Sequence, residues 1–167
     1  MERAMELCAQ SHGIAFIRTS RPTFPVIYKN DEPFAVGKAK VVRKYGGEQV
    51  LLIGAGVTLH EALKAADELA SKYQIKARVI DPFTIKPIDK ETIIANAKEC
   101  GGKIITIEDH YPEGGLGEAV ASAVASENIR VQILAVRDIP RSGPPQALID
   151  MFGIGSKSIV NAVLNFK

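Results

Sequence analysis

The sequence predicts an α/β protein: a three-layer α/β/α sandwich on a five-stranded mixed sheet, with four parallel strands and one antiparallel strand. The first observation is that short apolar runs rich in β-branched residues alternate with amphipathic helical segments through most of the chain. The second is that turns rich in glycine or proline separate these segments. Strands that alternate with helices are joined by right-handed crossovers, so neighbouring strands run parallel. We therefore expect helices on both faces of one largely parallel sheet.

Residues 49–70 form the clearest unit of this pattern. The apolar run 50–53 predicts a buried strand, and the Gly-Ala-Gly sequence at 54–56 predicts a tight turn that needs freedom in φ. The helix that follows has an apolar stripe, and Thr58 and Glu61 have the spacing of a capping box at its start. This stretch is therefore expected to form a strand, a glycine turn and a helix.

The antiparallel strand is expected from a hairpin. Strand candidates 38–43 and 49–53 flank the Gly46-Gly47 pair, and two strands around such a pair are typical of a β-hairpin. The first strand should therefore pair antiparallel with the second.

Three more strands and four more helices complete the predicted domain. Asp89 is expected to cap one helix, with Ile88 and Ile93 as its hydrophobic staple, and Ser156 is expected to cap the last helix. The predicted strands are 76–80, 103–107 and 130–136, and the predicted helices are 89–99, 116–125, 146–151 and 156–166.

The first 33 residues have a different pattern. Residues 2–10 predict the end of a helix, and residues 14–17 predict a strand. A lone helix and strand cannot bury their own faces, so residues 1–22 are interpreted as the tail of an upstream domain. Residues 23–33 follow as a proline-rich linker, and residues 34–167 as the main domain.

Composition narrows the function classes. The net charge is +2 and basic residues do not alternate with aromatic ones, which gives no indication of nucleic-acid binding. No apolar run approaches the length of a membrane span, so no membrane partner is expected. Cys8 and Cys100 lie far apart, a pattern typical of reduced thiols in a cytoplasmic protein.

The turn at 54–56 is one candidate site, because a helix start attracts anions. The third glycine of a dinucleotide-binding fingerprint would fall at Leu59, and Asp81 is the one candidate for the acidic residue that follows it. A plain tight turn is therefore favoured over nucleotide binding.

The run Glu108–Glu118 (EDHYPEGGLGE) is a second candidate, because it follows a predicted parallel strand. Glu108, Asp109, His110 and Glu113 carry the side chains of a metal or acid–base site. Consecutive residues point in different directions, however. We expect instead that the carboxylates accept backbone N–H groups in the glycine turn and at the helix start.

Arg21 is a third candidate. A guanidinium beside Pro22 in a rigid turn suits a phosphate clamp, and a solvated side chain is the equal alternative from the residues alone. His12 and His60 stand alone and carry no expected site.

Several of these segments resemble animal transketolases. The matching runs are FIRTSRP at 16–22, IGAGVTLHEA at 53–62, VIDPFTIKP at 79–87, EDHYPEGGLGEAV at 108–120 and PRSG at 140–143. The resemblance covers the whole chain, from the last helix and strand of the pyrimidine-binding domain through the complete C-terminal domain. It implies a transketolase C-terminal domain fold for residues 34–167.

The resemblance also implies a function. Transketolases transfer a two-carbon ketol unit between sugar phosphates in the pentose phosphate pathway, as homodimers that hold thiamine diphosphate and Mg²⁺ or Ca²⁺. Arg21 matches the arginine that grips the sugar phosphate. The catalytic, cofactor-binding and metal-binding residues of the family lie upstream and none is matched here, so this chain alone is expected to be inactive and to bind no cofactor. Its role would be structural and in dimerisation.

Three alternatives remain open from the sequence. The first is the C-terminal domain of a 2-oxo acid dehydrogenase E1 β subunit, whose glycine-rich loop is similar. The second is a free-standing nucleotide- or anion-binding module that uses the turn at 54–56. The third is a purely structural dimerisation domain.

Overall fold

Five strands form one mixed sheet in the computed structural model, which describes residues 2–166. The strands are β1 (Lys40–Arg43), β2 (Val50–Gly54), β3 (Ala77–Asp81), β4 (Lys103–Ile107) and β5 (Arg130–Leu134). The helices are α1 (Glu2–Gln10), α2 (Val57–Tyr73), α3 (Lys90–Glu99), α4 (Leu116–Ala123), α5 (Pro145–Met151) and α6 (Ser156–Leu164). The strand order is β1-β3-β2-β4-β5, with β1 antiparallel to β3 and all other pairs parallel. The predicted α/β class and mixed sheet are confirmed.

Helices cover both faces of the sheet because its central strands are apolar on both sides. In β2, Leu52 lies in the core beneath α2 and α6, whereas Leu51 and Ile53 lie in the core beneath α3 and α4. Successive side chains of a strand point to opposite faces, so one continuous apolar run supplies both cores.

The predicted hairpin between the first two strands is wrong. β1 pairs with β3, with Lys40 opposite Asp81 and Val41 opposite Ile80, while β2 is flanked on both edges by parallel strands. The Gly46-Gly47 pair does turn the chain, but Glu48 then pairs with Arg78 of β3 at 2.8 Å. Because β3 and β4 occupy both edges of β2, β1 cannot pair with β2 and instead joins the sheet at the outer edge of β3.

The predicted strand at 14–17 is also wrong. These residues form irregular backbone, and within the described residues 2–166 they pair with no strand. Ile14 and Phe16 are exposed at 105% and 89%. The apolar side chains favour a strand locally, but no sheet edge lies beside them. The helix α1 before them ends at Gln10 as predicted, with no buried residue of its own.

Two of the three predicted helix caps are wrong. Gly56 is the N-cap of α2, and the buried Thr58 hydroxyl donates instead to the Ile107 carbonyl at 2.7 Å. Ser156 is the first residue of α6, and its backbone N–H donates to the Glu61 carboxylate at 2.9 Å. Tertiary partners have replaced the local ones in both places. Asp89 caps α3 as predicted and accepts from the Thr92 N–H at 3.2 Å.

Residues 23–33 have no helix or strand, and they lie along the outer edge of the sheet. The Tyr28 hydroxyl donates to Asp81 at 2.6 Å, and the Tyr28 ring packs edge-on against Phe34 with 4.9 Å between centroids. Ile27 packs against the core beside α2. The proline-rich stretch is therefore docked on the domain rather than free of it.

One stretch, Pro145–Leu164, is long and apolar enough to cross a membrane by length and composition alone. The structure divides it into α5 and α6 at Phe152–Gly155, and it buries Ile154 and Ile159 in the core. The stretch is therefore two short helices that pack on the domain rather than one continuous helix of membrane-spanning length.

Candidate functional site

The candidate residues gather where β2 and β4 end. These are neighbouring parallel strands, and the turn after β2 and the loop after β4 meet at the same edge of the sheet. Ligands of open α/β sheets bind at the carboxyl ends of such strands. Residues 18–24, named here the bridge segment, cross this edge.

Arg18 fastens the start of the bridge segment to the loop after β4. Its guanidinium donates to both carboxylate oxygens of Asp109 at 3.1 and 3.0 Å, and to the Asp109 carbonyl at 2.9 Å. A forked guanidinium–carboxylate pair fixes direction as well as distance. The expectation that this carboxylate accepts backbone N–H groups of its own loop is wrong, because Asp109 pairs with a guanidinium 91 residues away.

Phe24 fastens the end of the bridge segment to the start of α2. Its ring stacks on His60 with 4.9 Å between centroids and 14° between planes. Burial, followed by the charge of Lys64, lowers the pKa of His60 below its usual value, so the imidazole is neutral at pH 7. His60 is therefore a half-buried platform for an aromatic ring and not the isolated surface residue that the sequence suggests.

The middle of the bridge segment passes the glycine turn. Gly56 has φ of +59°, which confirms the predicted need for conformational freedom, and a Cβ on it would lie 3.6 Å from the Ser20 hydroxyl. Arg21 follows Ser20 and is exposed. Arg21 makes no hydrogen bond or ion pair to any residue in the range 2–166 that the structure describes. Its guanidinium is thus available to a ligand, and its role as a phosphate ligand stays a prediction.

Glu108 behaves as the sequence analysis favoured. It is buried, and its two carboxylate oxygens accept from the backbone N–H groups of Leu116 and Gly117 at 2.7 and 2.9 Å, at the start of α4. Burial raises its pKa, and these hydrogen bonds oppose the rise. A Cβ on Gly115 would lie 2.0 Å from a Glu108 oxygen, so the glycine run is what lets the backbone approach. Both oxygens of the Glu108 carboxylate therefore accept hydrogen bonds from the start of α4.

The loop does not assemble a metal site. The His110 imidazole contacts the Tyr111 carbonyl at 2.7 Å and Glu113 is exposed. Among residues 2–166, no three His, Cys, Asp or Glu side chains converge to hold an ion. The residues present do not fit a divalent cation or the metal-bound diphosphate of a cofactor.

The nucleotide alternative has little support in the geometry. Asp81 accepts from the Tyr28 hydroxyl at 2.6 Å and from the Phe83 N–H at 2.9 Å, so each of its two oxygens already has a partner within the fold. Leu59, at the place of the missing third glycine, is buried in the core. The turn at 54–56 therefore connects β2 to α2 and packs beneath the bridge segment.

Neither anchor of the bridge segment is predicted from the sequence. Arg18 and Asp109 lie 91 residues apart, and nothing local in either segment signals the other. Phe24 and His60 likewise belong to different elements. The available signal was indirect: both partners flank predicted strand ends, where side chains from distant segments meet.

Comparisons with known proteins agree with this architecture. Residues 37–159 match the family model described as Transketolase, C-terminal domain. Over 163 residues, 97% of this chain, the sequence is 57% identical to Transketolase-like protein 1 of Bos taurus and to Transketolase of Homo sapiens. The chain spans only 27% and 26% of those two proteins.

Solved structures show the same fold. The split gene transketolase, described as an inactive beta4 tetramer, superposes with a TM-score of 0.77 at 35% identity, over 84% of this chain and 45% of that one. Transketolase from Campylobacter jejuni superposes with a TM-score of 0.57 at 16% identity, over 87% of this chain and 20% of that one, a likeness of fold alone. The family match, the level of identity and the strand order lead to one assignment: the chain belongs to the transketolase C-terminal domain family.

Proposed function

We propose that this chain is the C-terminal part of a thiamine-diphosphate-dependent transketolase, an enzyme that transfers a two-carbon ketol unit between sugar phosphates. The proposal is supported by 57% identity to animal transketolases along almost the whole chain. The chain spans about a quarter of those relatives, so the proposal assigns it only that part of the enzyme.

The proposal assigns different roles to this chain and to the upstream part of the enzyme. Residues 1–22 belong to the end of the pyrimidine-binding domain, 23–33 to a linker, and 34–167 to the C-terminal domain. Thiamine diphosphate with Mg²⁺ or Ca²⁺ is held by the upstream part of the enzyme, since no group of residues in the described chain fits the metal. The cofactor supplies the carbanion chemistry when bound there.

This chain has a structural role and takes part in homodimerisation, and its direct contact with substrate is through Arg21. The observation that carries this step is the position of Arg21: exposed, unpaired within residues 2–166, and mounted across the carboxyl ends of β2 and β4. A guanidinium binds a phosphate dianion by two parallel hydrogen bonds, so it orients a sugar phosphate as well as attracting it.

The enzyme is expected in the cytoplasm, where thiols stay reduced. Cys8 and Cys100 are both free, and burial raises the pKa of the Cys100 thiol to about 11, which keeps it protonated and unreactive. A reducing compartment suits this pair.

Complementation tests the proposal. This chain is assayed for ketol transfer with thiamine diphosphate and Mg²⁺, alone and mixed with a separately expressed N-terminal portion of a transketolase. Activity is expected only in the mixture. Activity of this chain alone contradicts the proposed division of labour, and an inactive mixture whose parts demonstrably associate contradicts the proposed function.

Arg21→Ala tests the substrate contact in the active mixture. Loss of a charge-assisted phosphate contact is expected to raise the KM for a phosphorylated aldose about 30-fold, with the KM for the same aldose without its phosphate unchanged. Lys157→Ala, which removes an exposed positive charge from α6, is the matched control and should change neither KM.

A further inference from the structure

The bridge segment is attached on both sides of Arg21 and at equal distance along the chain. Arg18 lies three residues before Arg21 and is bound by Asp109, and Phe24 lies three residues after it and is stacked on His60. Between the two anchors the backbone passes Gly56. The bridge segment is thus held at both ends by the C-terminal domain.

The first anchor is better suited to orientation than to stability. Its side chains are exposed at 54% and 34%, and exposed ion pairs contribute little to the free energy of unfolding. The forked pair and the additional bond to the Asp109 carbonyl nevertheless leave the Arg18 guanidinium a single direction. Asp109 itself follows directly on β4 and the buried Glu108, so it stands on rigid backbone.

The second anchor has the same character. His60 lies in the first turn of α2, and its ring offers Phe24 a flat face at 14°. Without this contact, Phe24 would be one more apolar side chain of an irregular segment, like the exposed Phe16. Two anchors, one in the loop after β4 and one in α2, therefore define where the peptide at Arg21 lies.

We propose that Asp109 and His60 are positioning residues for substrate phosphate: they hold Arg18 and Phe24 so that the bridge segment presents Arg21 in one place and orientation. This inference rests on the proposed function, in which Arg21 binds the phosphate. It adds that the C-terminal domain tunes selectivity for phosphorylated substrates through residues that never touch them. Binding groups held by well-packed supporting residues lose less entropy on binding, so loosening the anchors weakens phosphate binding without altering the ketol chemistry.

The activity test uses the complemented enzyme and Asp109→Asn. We expect the KM for the phosphorylated aldose to rise about fivefold, the KM for its unphosphorylated counterpart to stay unchanged, and kcat to stay unchanged. Glu127→Gln is the matched control, because Glu127 is also a partly exposed carboxylate, 26% against 34% for Asp109, and is paired with Lys98 at 2.7 Å, away from the bridge segment. Asp109→Glu, which keeps the charge, should recover part of the lost affinity.

A double-mutant cycle separates positioning from direct contact. If Arg18 acts through Asp109, the effects of Arg18→Gln and Asp109→Asn should overlap, and the double variant should be less impaired than the sum of the two single variants, with any residual Arg18→Gln effect coming from its bond to the Asp109 carbonyl. Two effects that add in full in the double variant show that Arg18 acts on substrate independently of Asp109 and overturn the positioning role. The same cycle applies to Phe24→Leu and His60→Leu.

A second measurement does not depend on activity. Trypsin cleaves after arginine but not before proline, so within the bridge segment it cuts after Arg18 and spares the Arg21–Pro22 bond. An Arg18 side chain held by Asp109 is withheld from the protease, and cleavage there should become about fivefold faster in Asp109→Asn, with cleavage after the exposed Arg141 as the internal reference. Unchanged cleavage after Arg18 overturns the inference, whatever the activity shows.

The outcomes separate the two proposals. If Arg21→Ala reduces selectivity for phosphate and Asp109→Asn does not, the positioning role fails while the proposed function stands. If Arg21→Ala leaves selectivity unchanged, the proposed phosphate contact fails and the positioning role fails with it. Reduced selectivity in both variants, with faster cleavage in Asp109→Asn, supports both.

Discussion

Residues 2–33 and the sheet domain that follows them are held in place by different forces. The central strands β2 and β4 are buried on both faces among apolar side chains from four helices. The N-terminal arm, residues 2–33, has a helix with no buried residue and exposes Ile14, Phe16 and Val26. It contacts the domain through a few side chains; for example, Arg18 pairs with Asp109, Phe24 stacks on His60, and Ile27 packs against the edge of the core.

This difference teaches that stability and orientation are separable in this chain. Apolar burial contributes most of the free energy of folding, and it lies almost entirely in the sheet domain. Directional contacts between exposed groups contribute little free energy but define geometry. Substitutions in the two regions should therefore affect different measurements.

The largest contrast is between Leu52→Ala and Ile14→Ala. Leu52 is fully buried in β2, and truncation leaves a cavity that should lower the free energy of unfolding by about 3 kcal/mol. Ile14 is fully exposed, and its truncation should change the free energy by less than about 0.5 kcal/mol. Urea denaturation of both variants measures the contrast, and a large loss for Ile14→Ala would contradict the exposed position of the arm.

The next largest change in the free energy of unfolding comes from a buried ion pair in the sheet domain. Arg78 and Glu48 form an ion pair at 2.8 Å whose side chains are 2% and 1% exposed. Glu48→Gln leaves the Arg78 charge buried with less compensation and should cost about 3 kcal/mol in urea denaturation. Glu127→Gln breaks an exposed pair instead and should cost less than about 1 kcal/mol. Equal losses in the two variants would show that burial does not set the cost.

The same pair predicts how stability depends on pH. Burial disfavours the Glu48 carboxylate, but hydrogen bonds from Gly46, Arg78 and Tyr45 outweigh it and lower the pKa to about 2 from an ordinary 4.5. Between those two values the unfolded chain binds the extra proton, so stability rises with pH across this window and is lost as pH falls. The contribution is about 3 kcal/mol above pH 4.5. In Glu48→Gln, denaturation curves between pH 2 and 4.5 should lose this part of the pH dependence, while a dependence as steep as in the unmodified chain would assign it to other carboxylates.

The smallest expected change in the free energy of unfolding comes from breaking a contact of the N-terminal arm. Asp109→Asn removes an exposed ion pair and should lower the free energy of unfolding by less than about 1 kcal/mol. The same variant is expected to change trypsin cleavage after Arg18. A loss as large as that of Glu48→Gln would mean that the arm stabilises the domain, and the separation between the two regions would fail.

The sequence predicted what depends on neighbouring residues. The strand at 103–107 was located to the residue because Gly101-Gly102 ends the helix before it, and Asp89 was identified as a cap from its own local pattern. The predicted boundaries of α3 and α4 differ from the structure by no more than about two residues, as expected for helix ends that fray.

Predictions that depend on distant residues went wrong. Thr58 and Ser156 have typical capping side chains, yet the Thr58 hydroxyl bonds to Ile107 and the start of α6 is capped by Glu61. The hairpin was excluded because crossover strands occupy both edges of β2. Local propensity competes with tertiary partners at such places, and the tertiary partners win because a buried polar group must be satisfied.

In the candidate site, too, local features could be predicted from the sequence and long-range contacts could not. The assignment of Glu108 to a helix start is confirmed, because acidic residues favour that position, whereas the phosphate contact of Arg21 was inferred from a resemblance between sequences and stays a prediction. The pairing of Arg18 with Asp109 was beyond prediction, since the contact joins two loops across 91 residues. Only the fold brings those loops to one edge of the sheet.

The contact between Glu61 and the start of α6 has a consequence for synthesis on the ribosome. Glu61 accepts a hydrogen bond from the Ser156 N–H, which is synthesised 95 residues later. The apolar stripe of α2 packs against Ile159 and Val160, which are synthesised as late. Until α6 has left the exit tunnel, α2 alone covers this face of the sheet, and the part of the core that α6 covers stays exposed in the nascent chain. Uncovered apolar surface in a growing chain is where chaperones bind and aggregation begins, so α6 is the element whose arrival ends that exposure.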